Sequence, residues 1–278
     1  HLTPHSTLRT RSIVINLLDE ARDLQSDILS LRRRLQTTPE PAFQEAATAE
    51  TVANALKACG FQLKMGIAET GLLADTGAGK VVAIHTAMDA LPANDKQAAF
   101  HGCGHDANMA CVIGAARIIA RRLRGQTSGT LRLIFQPAAE LSSHASNAAA
   151  YQMIEAGALD NCSAVFGIHV DSTIRSGRAA VVEPVLNSST HQHFREIMQQ
   201  SAVELLGKSQ VSLVTRTTYG CDFSRYLEKV PGSLVYLGVG IPGKFASHHS
   251  PDFSIDETSL YVGAAVLANT VLKTLAEK

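Results

Sequence analysis

The chain has 278 residues, 45% hydrophobic and 18% charged, which supplies a sizeable core and excludes a disordered chain. Lys plus Arg and Asp plus Glu balance at 25 each, so the charge gives no argument for nucleic acid or an anionic membrane as partner. Five cysteines, an odd number in no disulfide-framework spacing, point to reduced thiols and a cytoplasmic setting.

In chain order, an apolar face predicts a long helix over residues 8–35, ended by Pro39 and Pro41. A second helix runs over 45–58 and closes at Gly60, followed by short strands at 61–65 and 71–75. An alternation then sets in: strand 80–86, helix 106–122, strand 131–136, helix 147–156, strand 163–170 and a further strand near 178–183. Helix 189–206, a short helix 222–229, strand 233–239 and a closing helix 257–275 complete the chain. Strands alternating with helices of this length predict an α/β fold, with helices on both faces of a mostly parallel sheet. Arg117 interrupts the helix read as most apolar, so no transmembrane run is expected; separately, no secretory signal is read from the sequence.

The densest chemistry lies in Phe100-His-Gly-Cys-Gly-His-Asp-Ala-Asn-Met109, where Cys103 and His105 sit two apart among glycines at a helix start. A thiolate and an imidazole so spaced suit a metal ion, although each alone also reads as a buried core residue. Asp89 follows one strand, Glu140 another, His169 is near the end of a third, and His249 lies in the loop after a fourth. Ligands in open α/β sheets gather beyond the strands' carboxyl ends, so these side chains converge on one candidate metal site.

These motifs resemble the zinc-dependent amidohydrolases of the metallo-aminoacylase and carboxypeptidase family, nearest to the auxin-conjugate hydrolase and N-acyl-amino-acid amidohydrolase branch. The resemblance rests on Leu31-Arg-Arg-Arg-Leu35, Pro39-Glu40, Phe43-Gln-Glu45, Met88-Asp-Ala-Leu-Pro92, His101-Gly-Cys-Gly-His-Asp106 and Phe135-Gln-Pro-Ala-Ala-Glu140. Gly167-Ile-His169, Cys221-Asp-Phe223, Val230-Pro-Gly232 and His249-Ser-Pro251 follow in the family's order. The resemblance implies a three-layer α/β/α catalytic domain over residues 1–278. It also implies one or two divalent ions (zinc first, manganese or cobalt as alternatives) on Cys103, His105, Glu140, His169 and His249, with Asp89 orienting a metal-binding group.

Three departures accompany it. Ala139 stands where the family carries the glutamate that acts as general base. The lid or dimerisation domain that the family inserts near residues 178–184 has no counterpart, so a monomer and a dimer through a freed edge at 178–184 are both expected forms. His85-Thr-Ala87 replaces the branch's Arg-Ala-Asp, and Gln36, Asn108 and Cys221 replace residues that are commonly His, His and Glu.

Two main readings follow. One is a metal-dependent amidohydrolase acting on N-acyl amino acids or small peptide-like amides, with impaired turnover. The other is a catalytically inactive metal- or ligand-binding pseudoenzyme. A third is a partner-binding domain using the edge at 178–184. Gly238-Val-Gly-Ile-Pro-Gly243 contains Pro242 and opens no helix, so it is not read as a dinucleotide site. No Gly-x-Ser-x-Gly elbow offers a serine nucleophile. Arg32, Arg33 and Arg34 read as one solvated helix face. His101, His144 and His248 lie near the site in sequence without being read as ligands, and His191 and His193 receive no role.

Overall fold

The computed structural model describes residues 17–94, 98–125, 129–141, 149–183, 188–215, 222–244 and 247–277. Eight strands form one sheet in the order β1-β2-β4-β3-β5-β8-β6-β7. These are β1 (Gln62–Ile67), β2 (Gly71–Ala78), β3 (Val81–Ala87), β4 (Gly129–Gln136), β5 (Cys162–Arg175), β6 (Ala179–Val182), β7 (Val211–Val214) and β8 (Gly232–Gly240). The central run β4-β3-β5-β8 is parallel, as is β6 with β7. The other pairings, β1–β2, β2–β4 and β6–β8, are antiparallel.

Period-two patterning sends alternate residues of the buried strands to opposite faces. On β3, Val82 and Ile84 join the larger core, while Ala83 joins the smaller one on the other face. Among the described residues, the helices that supply the larger core are α1 (Gln25–Gln36), α2 (Ala46–Lys57), α3 (His105–Leu123), α4 (Ser189–Leu206) and α6 (Leu260–Ala276), together with Leu17 and Ala21 of a helical stretch before α1. The thinner layer opposite is built from helical residues 149–158 and the short α5 (Phe223–Leu227). Three α/β/α layers result.

The structure departs from the sequence reading at several places. The first helix is broken at Leu24 between helical residues 17–23 and α1, and residues 8–16 of the expected span lie outside the described residues. β7 follows a short 3-10 turn, Lys208–Gln210, and was not expected. Because β7 pairs with β6, and β6 pairs on its other side with β8, the segment expected as a free edge is interior. The edge on that side of the sheet is β7, with Leu213 41% accessible. The stretch Glu257–Ala276, rather than α3, is the one helical stretch among the described residues long and apolar enough to cross a membrane, and most of it is buried in the core.

Arg32 is likewise no solvated residue. It falls on the buried stripe of α1 with Ile28 and Leu35, and its Nε donates to Asp106 Oδ2 at 2.8 Å. Glu257 lies 3.3 Å from the same guanidinium, while Arg33 faces solvent. Asp106 is fully buried, and its other oxygen has no hydrogen-bond partner among the described residues. Removing one partner of such a pair strands a buried charge, so Arg32→Met is expected to cost about 3–5 kcal/mol. Urea unfolding checks this, and a loss below about 1 kcal/mol would contradict it.

Candidate metal centre

The site lies at the carboxyl ends of the central parallel strands. Gly104 links Cys103 to α3 in a left-handed conformation (φ +82°), and a Cβ there would meet Val170 Cγ2 at 2.3 Å. Glycine therefore lets the chain turn into the helix with Cys103 before the turn and His105 as its first residue. Asp89 follows β3, Glu140 follows β4, and His249 sits in the loop after β8. His169 falls within β5 rather than at its end. It is accessible to the site because β3 pairs with β5 only as far as Gly167.

His249 adopts φ +64°, unusual for a non-glycine residue, and its N–H donates to Gly102 O at 2.9 Å. That bond ties the loop to the glycine run carrying Cys103.

The structure brings all five expected ligands together in two groups sharing Cys103: Cys103, His105 and His169, and Cys103, Glu140 and His249. Within each group the donor atoms lie within 4.8 Å of one another. His105 Nε2 is 3.4 Å from Glu140 Oε1, His249 Nε2 is 3.3 Å from Glu140 Oε2, and Cys103 Sγ is 3.5 Å from His169 Nε2.

Two histidines have their tautomer set by a carbonyl. His105 Nδ1 donates to Asp89 O, and His169 Nδ1 donates to Val170 O, both at 2.8 Å. Each bond leaves Nε2 as a lone pair facing the site, the arrangement metal-binding histidines use. Asp89 does more: Oδ1 lies 3.3 Å from His105 Nδ1, and Oδ2 accepts the Glu140 N–H at 2.6 Å.

Burial and close neighbours set the protonation of the donors. Burial pushes the Cys103 thiol up to about 12, and His105 opposes this. Burial works against a charged His105, but Cys103, Asp89 and Glu140 together hold its proton well above the usual imidazole range. His169 moves the other way, down to about 3, through burial and then through its neighbours His105 and His248. Because metal ligands bind in their deprotonated forms, a divalent ion at these donors would displace the protons that Cys103 and His105 hold.

A cavity of about 240 Å³ opens onto this cluster, with Ala139, Asn108 and His85 in its wall. Asn108 Oδ1 accepts the Val170 N–H at 2.9 Å, which joins α3 to the strand carrying His169. His248 packs its ring 5.4 Å from that of His169. His101 is buried, with neither ring nitrogen hydrogen-bonded among the described residues. Cys59, Cys103, Cys111 and Cys162 are free thiols, and Cys221 and His144 lie outside the described residues.

His85 stands deeper, against Tyr226 and Phe223 at 4.5 and 5.4 Å between ring centroids. Its Nε2 meets Gln136 Oε1 at 2.9 Å, and Gln136 Nε2 donates to Asp222 Oδ2 at 2.7 Å. Burial lowers its pKa to about 4 against the help of that hydrogen bond. The unfolded chain therefore takes up this proton first as pH falls, from about 6.5 downward, and folding weakens until about pH 4. The full contribution is about 3 kcal/mol. Comparing urea midpoints of wild type and His85→Gln from pH 7 to 4 checks the sign, and parallel curves would contradict it.

Sequence reasoning attached no role to Glu45, although it is fully buried and hydrogen-bonds the turn before Glu140. Its only signal was its place in Phe43-Gln-Glu45, a motif with no chemistry of its own.

The chain matches the family model described as Peptidase family M20/M25/M40 over residues 83–273. It is 32% identical over 178 residues to thermostable carboxypeptidase 2 of Saccharolobus solfataricus, covering 59% of this chain and 44% of that one. With the N-acyl-L-amino acid amidohydrolase of Geobacillus stearothermophilus it shares 31% identity over 201 residues, 68% of this chain and 52% of that one. The match thus spans about half the length of these relatives. Among solved structures, a Bacillus subtilis protein described as a dinuclear metal binding peptidase from the M20 family superposes with a TM-score of 0.75 at 22% identity. That superposition covers 92% of this chain and 99% of the other, and it bears on the fold. With the family model matched across most of the chain and the same fold around the site, this protein belongs to peptidase family M20/M25/M40.

Proposed function

We propose that this chain is a single amidohydrolase-type domain that binds one or two divalent ions, zinc first with manganese or cobalt as alternatives. Its substrates are N-acyl amino acids or small peptide-like amides, and turnover is low. One observation carries the reading: two donor groups that share Cys103, with the Nε2 atoms of His105 and His169 freed by carbonyl hydrogen bonds. The likeness to an N-acyl-L-amino acid amidohydrolase supports the substrate class.

When bound, such an ion polarises an amide carbonyl and acidifies a water. The chain's own residues would do the rest. Cys103, His105, Glu140, His169 and His249 would hold the ions. Asp89 would fix the His105 ring and the Glu140 turn through the two contacts described. Ala139 opens on the cavity beside Glu140 and offers no proton acceptor. That residue supports slow hydrolysis, and it is also the observation favouring the non-catalytic, metal-binding reading.

The inserted domain is absent in this reading, because β6 ends at Val182 and α4 of the same unit begins at Ser189. Free thiols support a reducing, cytoplasmic setting. The balanced charge supports a small molecule rather than nucleic acid as partner.

The test is release of free amino acid from a panel of N-acetyl amino acids, with and without chelator. Slow, chelator-sensitive release supports the hydrolase. Metal-loaded protein with no release above buffer supports the pseudoenzyme.

A further inference from the structure

Glu45 stands at the N-cap of α2, yet its side chain makes no bond to that helix. Glu40 serves the helix amides instead, accepting from Ala47 N at 3.0 Å and Thr48 N at 2.7 Å. The Glu45 carboxylate is thereby released to the protein interior, where it is fully buried. Oε1 accepts the N–H of Ala138 at 2.9 Å, and Oε2 accepts the Thr70 hydroxyl.

Both partners belong to segments that need holding. Ala138 has φ +58°, a conformation that costs an alanine energy, and it opens the turn that carries Ala139 and Glu140. Thr70 ends the hairpin turn between β1 and β2, where Ala68 and Glu69 also have positive φ. The hairpin lies close against the same turn: a Cβ on Gly71 would meet Pro137 Cδ at 2.9 Å.

Asp89 grips the far end of that turn through Glu140 N. The Glu40–Glu45 segment reaches this end too, because Glu40 O accepts Ala90 N at 2.8 Å and Pro41 bridges Ala90. One segment without a proposed ligand thus braces the two strand ends that carry Asp89 and Glu140.

We propose that Glu45 is a positioning residue for the metal centre, holding the strained Ala138–Glu140 turn so that Glu140 faces His105 and His249. This rests on the metal reading above. A buried carboxylate is a costly choice for a packing role, since desolvation raises its pKa and Asp89 adds to the rise. A geometric demand for an acceptor to Ala138 N and a second polar atom against the Thr70 hydroxyl, at a fixed reach, accounts for a polar side chain of this length.

The test compares Glu45→Asp, Glu45→Gln and Thr70→Val with wild type, by zinc affinity in competition with a chelating dye and by amide exchange in the metal-free protein. Asp keeps the charge but withdraws the oxygens by one methylene. Affinity should fall about 10–100-fold, as for other outer-shell changes, and exchange over residues 133–141 should quicken about 10-fold. Gln retains an acceptor for Ala138 N and a second polar atom for Thr70, so both values should stay near wild type. Thr70→Val should quicken exchange with a smaller loss of affinity.

If Glu45→Asp folds with unchanged exchange at 133–141 and unchanged affinity, the brace is overturned. Should Glu45→Asp not fold, a Glu45→Gln that loses affinity as strongly as a ligand variant would overturn it instead. Wild type that binds no zinc sinks the metal reading alone, and the exchange data then decide the brace.

Discussion

Ala139→Glu is expected to raise chelator-sensitive hydrolysis of an N-acetyl amino acid by about 10²–10⁴-fold, the usual worth of a positioned general base. Ala139 lines the cavity with Cys103, His105, Glu140, His169 and His249, so a carboxylate there enters the space where an amide would meet the ions. The residue is partly accessible and lines the cavity, so there is open space beside it for a longer side chain. Ala139→Gln is the control, filling the same volume without accepting a proton. A glutamate variant that folds, carries the wild type's metal and hydrolyses no faster would remove position 139 from the chemistry. The substrate would then have to meet the ions on another side of the cavity.

Cys103→Ala is expected to weaken metal binding more than any other single ligand change, by over about 100-fold, because Cys103 belongs to both donor groups. Glu140→Gln should follow it, since each Glu140 oxygen faces a different histidine. Asp89→Asn acts only through His105 and the Glu140 amide, so it should cost about 10–100-fold. Competition with a chelating dye ranks the three. Equal losses at Cys103 and at the half-exposed His249, which belongs to one group only, would contradict the shared-centre geometry.

Much of the fold was legible because its signals are local. A short continuous apolar run such as Val81–Ala87, and the apolar α3, announce themselves within a few residues. β7 did not, since Val-Ser-Leu-Val is only four residues long, is interrupted by Ser212, and becomes a strand only by pairing with β6. The antiparallel flank β1-β2-β4 was hidden for the same reason: pairing partners are a property of the assembled sheet.

The cluster of Cys103, His105, Glu140, His169 and His249 could be anticipated from residue chemistry at strand ends, together with the motif resemblance. Residues acting at a distance could not. Arg32 looked like one of three solvated arginines until α1 turned it toward Asp106, which lies 74 positions along the chain. Glu45 reaches Ala138 across 93 positions, and no periodicity marks such a contact.

The most direct measurement is the metal content of purified, dialysed protein by elemental analysis, followed by titration with zinc. One or two equivalents, lowered by Cys103→Ala, are predicted. Protein that takes up no ion even on titration would contradict the account.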